Sequence, residues 1–161
     1  MKKLIGILIW LAPVVVTAQN TDAQAYHDKL IDESKLVSIA LNNFNASLET
    51  DSAFLMHSTR ALLRKQLDSS LAHIRKMEAY QGNDDWHKAI LLQLQFYRDC
   101  VDKEYIKFID YSLRLSVLNE DEITDFTKML SKLNEKDFDL TQLVNQAYKE
   151  FVDKYKVIPP K

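Results

Sequence analysis

Apolar residues recur along this chain at three- and four-residue intervals, with charged and polar residues between them. From Ala23 to about Leu48, the residues Tyr26, Leu30, Val37, Leu41, Phe44 and Leu48 fall on one helical face. Thr50-Asp51-Ser52 interrupts this pattern, and Asp51 is the expected N-cap of a second helix. That helix carries Leu55, Leu62, Leu63, Leu67, Leu71, Ile74 and Met77, and it stops at Gln81-Gly82-Asn83, where Gly82 suits a left-handed C′ position. Asp84 or Asp85 caps a third helix, with Trp86, Ile90, Leu94, Tyr97, Val101, Phe108 and Leu115 facing inward. Asn119 and Glu122 have the spacing of a capping box. They open a fourth helix through Ile123, Phe126, Leu130, Leu133, Leu140, Val144, Phe151 and Tyr155, ended by Pro159-Pro160.

Turn residues are scarce. The 161 residues include two glycines, Gly6 and Gly82, and three prolines, and no proline lies between Val14 and Ile158. A sheet-containing fold needs many more such residues, so the chain reads as all-α. Connections this short make neighbouring helices antiparallel, and the expected fold is a single up-down-up-down four-helix bundle spanning residues 19–161. Helices of this size are roughly 40–55 Å long. The first helical segment carries a formal −4 and the second +3, a complementarity that favours pairing order more than stability.

The first residues have a different pattern. Met1-Lys2-Lys3 precedes an apolar run from Leu4 to Val16, shorter than the about 20 residues a membrane span requires. Val16 and Ala18 then supply the small-residue pattern that a signal peptidase reads, and polar Gln19–Gln24 comes next. The expectation is a signal peptide over residues 1–18 and export to a periplasm, the cell surface or beyond. No membrane span is expected after cleavage. No cysteine stands near the cut, so no lipid modification is expected.

Charge and cysteine content narrow the function classes. A formal net charge of −2 gives no basic footprint for nucleic acid. The single cysteine, Cys100, rules out an intramolecular disulfide and multi-cysteine metal sites. It is expected to be a half-buried free thiol, with an intermolecular bridge as the alternative. Haem attachment through Cys-x-x-Cys-His is missing, the fourth helix has no histidine, and no Glu-x-x-His occurs for a di-iron site. No cofactor and no enzymatic constellation are expected.

Two sets of residues remain as site candidates. Glu104 lies about 20° from the centre of the third helix's apolar face, and Asp137 is similarly placed on the fourth. Glu33 and Gln66 fall at the same height on the first and second helices, so Glu33, Gln66, Glu104 and Asp137 form a candidate polar core layer. Buried carboxylates must be paired, protonated, hydrated or metal-bound. The layer is therefore either a hydrated register-pinning feature or a site for a divalent cation or small ligand. Histidines His27, His73 and His87 share one end of the bundle, roughly 70–80° from their apolar faces, and are a weaker metal alternative. No metal site is expected from them, and His57 should be solvated.

The runs Tyr26-His27-Asp28-Lys29-Leu30-Ile31-Asp32-Glu33, Gln66-Leu67-Asp68-Ser69-Ser70-Leu71, Gly82-Asn83-Asp84, Phe96-Tyr97 and Glu104-Tyr105 resemble those of a family of bacterial secreted or surface helical-bundle proteins. The resemblance covers nearly the whole chain after residue 18. It implies an exported helical bundle and no mechanism; the lipid anchor common in that family does not carry over, because the acceptor cysteine is missing. The function expected is therefore non-enzymatic. It is binding of an unidentified protein or envelope component, or a structural role in the envelope, with a homo-oligomer compatible with either. The alternative is a periplasmic metal- or small-ligand-binding bundle using the carboxylate layer. Intact-mass measurement of exported protein should give a chain beginning at Gln19; retention of residues 1–18 in that fraction overturns the leader.

Overall fold

The computed structural model of the protein describes residues 14–159, with side chains from residue 21 onward. The expected leader and its cleavage site lie outside the residues whose side chains are described. The described chain is all-helical: α1 (Val14–Ser47), α2 (Ala53–Arg75), α3 (Asp85–Asp102), α4 (Glu104–Leu113), a 3-10 turn at Leu115–Val117, and α5 (Glu120–Tyr155). Among the described residues no helix is long and apolar enough to cross a membrane.

The α1 core seam is narrow. Ala23, Leu30, Val37 and Phe44 are all buried and spaced seven residues apart, a coiled-coil-like repeat. Helix α2 answers with Met56, Leu63, Leu67, Leu71 and Ile74. As residue numbers rise along α1, their partners on α2 fall. Glu33 meets Ser70 and His73, and Ser47 meets Thr59. The same inversion relates α2 to α3, through Arg98 to Asp68 and His87 to the Ile74 carbonyl. It also relates α3 to α5, through Gln93 to Thr141 and Tyr97 to Asp137.

The caps agree with the expected boundaries at one helix and shift them elsewhere. Asn119 Oδ1 accepts from the Glu122 amide at 2.9 Å while Glu122 accepts from the Asn119 amide at 3.0 Å, a complete capping box for α5. At α2 the N-cap is Ser52 rather than Asp51, its hydroxyl accepting from the Leu55 amide at 3.2 Å. Asp84 caps α3 by position only; its carboxylate is engaged by Lys88 at 2.7 Å. Helix α2 ends at Arg75, before the expected Met77. Gly82 is left-handed, but within a turn rather than at a helix end. Gln81 and Gly82 have φ of 51° and 76°, and the Asn83 amide bonds the Tyr80 carbonyl at 2.9 Å, the pattern of a type I′ turn.

The third expected helix is divided. Lys103, with φ −126° and ψ −74°, separates α3 from α4. No proline or glycine is there. Instead Arg60 Nη1, from α2, donates to the Val101 carbonyl at 2.8 Å, so a side chain supplies a donor to the helical ladder where the helix breaks. The break rephases the chain beyond it, and Leu115, expected inside, is 69% exposed. Ile123 is also exposed, because α5 has no buried residue before Leu140. On α2, Leu55 and Leu62 lie outside, and Met56 takes the inward position instead.

The distribution of burial sets the expected mutational response. Leu67 is fully buried and Phe54 is 84% exposed. Leu67→Ala should cost about 2–5 kcal/mol through lost burial and the cavity left behind. Phe54→Ala should stay within about 0.5 kcal/mol. Denaturant unfolding monitored by circular dichroism measures both.

Candidate functional site

The four members of the expected polar layer are not drawn into one set. Glu33 and Gln66 meet between α1 and α2 through Ser70, which is fully buried. Ser70 Oγ donates to Glu33 Oε2 at 2.6 Å and accepts from Gln66 Nε2 at 3.0 Å. The other Glu33 oxygen pairs with His73 Nδ1 at 2.8 Å. Asp137 belongs to a different contact, between α5 and α3, where Tyr97 OH donates to its Oδ1 at 2.5 Å. Glu104 opens α4 immediately after the break and is half-buried. Among the described residues no hydrogen bond links the Glu33–Gln66 pair to Asp137 or Glu104.

The histidines are committed to separate partners. His27 is buried against the Trp86 and Tyr148 rings, with Nδ1 2.8 Å from Asp28 Oδ1. That contact and the Gln24 amide hold the Asp28 carboxyl below the usual carboxylate range. His73 is largely exposed, and His87 Nε2 lies 2.7 Å from the Ile74 carbonyl, as a donor. His57 is exposed. Among the described residues no group of three or more histidine, cysteine, aspartate or glutamate side chains is placed to hold a metal ion.

What the structure adds is a cleft of about 320 Å³ where the far half of α5 fails to close against the other helices. Leu41 of α1 and Leu48, just past its end, form one side, and Phe96, Tyr97 and Cys100 of α3 form the floor. Tyr105 and Phe108 of α4 and Phe126, Leu130 and Asp137 of α5 complete it. The aromatic wall is continuous. Tyr105 stacks on Phe108 with centroids 5.4 Å apart, and Phe108 meets Phe126 edge-on at 5.7 Å. Among the described residues no lysine, arginine or histidine lines the cleft.

The cleft's electrostatics derive from burial and from three acids, Asp137, Glu104 and Asp99. Burial and the Asp137 carboxylate push the Tyr97 phenol well above its ordinary value, so it remains a donor. Burial, then the charges of Glu104, Asp99 and Asp137, push the Cys100 thiol up to about 12. Cys100 is buried, 3% exposed, rather than half-buried, which takes its sulfur out of reach of an intermolecular bridge. Sequence periodicity places Tyr97, Phe108, Phe126 and Leu130 in the core without showing that they line a gap. The available signal is the pair Phe96-Tyr97, since adjacent residues on a helix cannot both point into one narrow stripe.

Comparison with protein-family models, with characterised proteins and with solved structures finds no match.

The Cys100 environment predicts an inert thiol. At pH 8 a thiol reagent should label the folded protein slowly and the denatured protein rapidly. The linkage has a definite sign. Between the ordinary 9.0 and about 12, the unfolded thiol has lost its proton while the folded one keeps it. This contribution is therefore complete below pH 9 and lost as pH rises through the folded value. Cys100→Ala should lose less stability than the parent across that window.

Proposed function

We infer that this protein is an exported, non-enzymatic binding protein of the cell envelope, and that α3 and α4 act as one broken rod in an up-down-up-down four-helix bundle. The apolar leader pattern and the resemblance of its motifs to secreted helical proteins support the address. The inverted helix contacts support the topology. The single observation that carries binding is the cleft between α1, α3, α4 and α5, whose volume lies at the low end of the range for small-molecule pockets. Asp137, one of the acids expected at mid-core, lines it. This observation favours a small ligand over a metal or a purely structural role.

A protein partner has its own supporting observation. Leu55 and Leu62 project from α2 beside Ala40 and Ala46 of α1, and both leucines are exposed. Clustered exposed apolar side chains of this kind mark interaction surfaces.

Native mass spectrometry of protein recovered from the exported fraction tests the cleft reading. A small-molecule adduct is expected on the parent and should be lost in Leu130→Trp, which fills the gap. Recovery of the protein only inside the cell overturns the address, and an adduct unaffected by Leu130→Trp overturns the cleft as its site.

A further inference from the structure

The chemistry of the cleft specifies more than a pocket. Its wall presents Phe96, Tyr97, Tyr105, Phe108 and Phe126, and aromatic faces attract cations as well as apolar groups. Among the described residues its one charged lining group is Asp137, and a single carboxylate with no cation beside it gives the interior a net negative charge. Tyr97 satisfies Oδ1 at 2.5 Å. Among the described residues Asp137 has no ion-pair partner, and no hydrogen bond reaches its Oδ2. Glu104, at the start of α4, adds negative potential from beside the cleft, visible in its effect on Cys100 and Tyr105. A partly buried carboxylate without a cation is costly, and a ligand that brings one relieves that cost. An anion would be repelled. A bare metal ion would find one carboxylate where it needs several oxygen ligands.

We propose that this cleft binds a small amphiphilic monocation, with an alkyl or aryl body against the aromatic and leucine walls and an amine or quaternary ammonium head at Asp137. The proposal rests on the binding reading above and names its ligand class. The body lies between Leu130 of α5 and the side chains of Leu41 and Leu48, and the head meets the free carboxylate oxygen with the Tyr97 and Tyr105 rings nearby. Tyr97 acts as a positioning residue, since its bond to Oδ1 fixes the carboxylate orientation.

Calorimetric titration of the full-length protein with octyltrimethylammonium, octan-1-ol and octyl sulfate, each below its micelle concentration, tests this. The ammonium should bind one to one and about tenfold more tightly than the alcohol, as cation–π and Coulombic attraction to rings and a carboxylate implies. The sulfate should bind more weakly than the alcohol. Asp137→Asn should remove most of that preference, about fivefold of the tenfold, Asp137→Glu should retain it, and Leu130→Trp should abolish binding of all three. If alcohol and ammonium bind equally and Asp137→Asn changes nothing, the cationic ligand class is wrong while the cleft still binds. If none of the three binds in a manner sensitive to Leu130→Trp, the binding reading falls with it. Should Asp137→Asn fail to fold, the ammonium–sulfate contrast in the parent and its loss in Leu130→Trp decide the matter.

Discussion

Arg60 of α2 reaches the Val101 carbonyl at 2.8 Å, and the course of the chain beyond residue 102 depends on that contact. A carbonyl inside a helix ordinarily accepts from the amide four residues on; here it also receives a charged donor, at the point where the ladder gives way. A hydrogen bond from a charged donor is worth about 1.5–3 kcal/mol, enough to favour a local break that has no proline to force it. The Lys103 amide then closes the end of α3 with a three-residue bond to the Cys100 carbonyl at 3.2 Å, and α4 follows. Tyr105 is carried under Phe44, with stacked rings 4.9 Å apart, and Phe108 toward α5. Tyr105 and Phe108 of the cleft's aromatic wall therefore owe their placement to the break.

The two ends of the molecule are built differently. At the end holding the α1 start and the α5 finish, Tyr26, Trp86 and Phe151 pack ring against ring, and Tyr80 and Tyr155 meet at 4.9 Å. Gln24 bonds both the amide and the carbonyl of Ile158, at 2.9 and 3.2 Å, which ties the chain beyond α5 back onto α1. At the other end α5 has no buried residue before Leu140 and is held by narrower contacts, Phe126 against Tyr111 at 4.6 Å and Arg114 to Glu122 at 2.6 Å. Exposed ion pairs of the latter kind contribute little. Large rings fill one end, and the other leaves space because α5 presents a thin stripe there.

Periodicity made the helices legible and most of the core with them. Leu30, Val37, Phe44, Leu63, Leu67, Ile74, Trp86, Ile90 and Phe151 are all buried as their spacing requires. The Asn119–Glu122 capping box was readable because both partners lie within one turn. The break after Asp102 was not, because its cause is an arginine 41 residues away in sequence. Leu55 and Leu62 were misplaced because a wide apolar stripe on α2 exceeds what its neighbours cover, and only packing decides which edge is left out. Asp51 and Ser52 are both good caps, and their order was settled by where the first helical amides fall. The expected polar layer divides because Glu33 and Gln66 meet Ser70 between α1 and α2, whereas Asp137 meets Tyr97 of α3 and Glu104 begins α4 beyond the break. Asp137 alone was carried into a cavity.

The position of Asp137 explains why that cavity is not simply a packing flaw. Along α5 the residues Ile123, Phe126, Leu130, Leu133, Asp137, Leu140, Val144, Ala147 and Phe151 alternate steps of three and four without interruption. Asp137 thus holds a place in the stripe where a leucine would complete the hydrophobic seam. A carboxylate there forgoes that burial and adds a desolvation cost, only partly offset by the Tyr97 hydroxyl. Because burial keeps the phenol protonated far above ordinary pH, it always donates, and the acid at its side keeps one oxygen for something else. The seam is interrupted at the level of Tyr97, within the cleft that Tyr105 and Phe108 line beyond the α3–α4 break. The break supplies the room and Asp137 keeps it from closing as hydrocarbon, so the cleft has both a shape and a charge of its own.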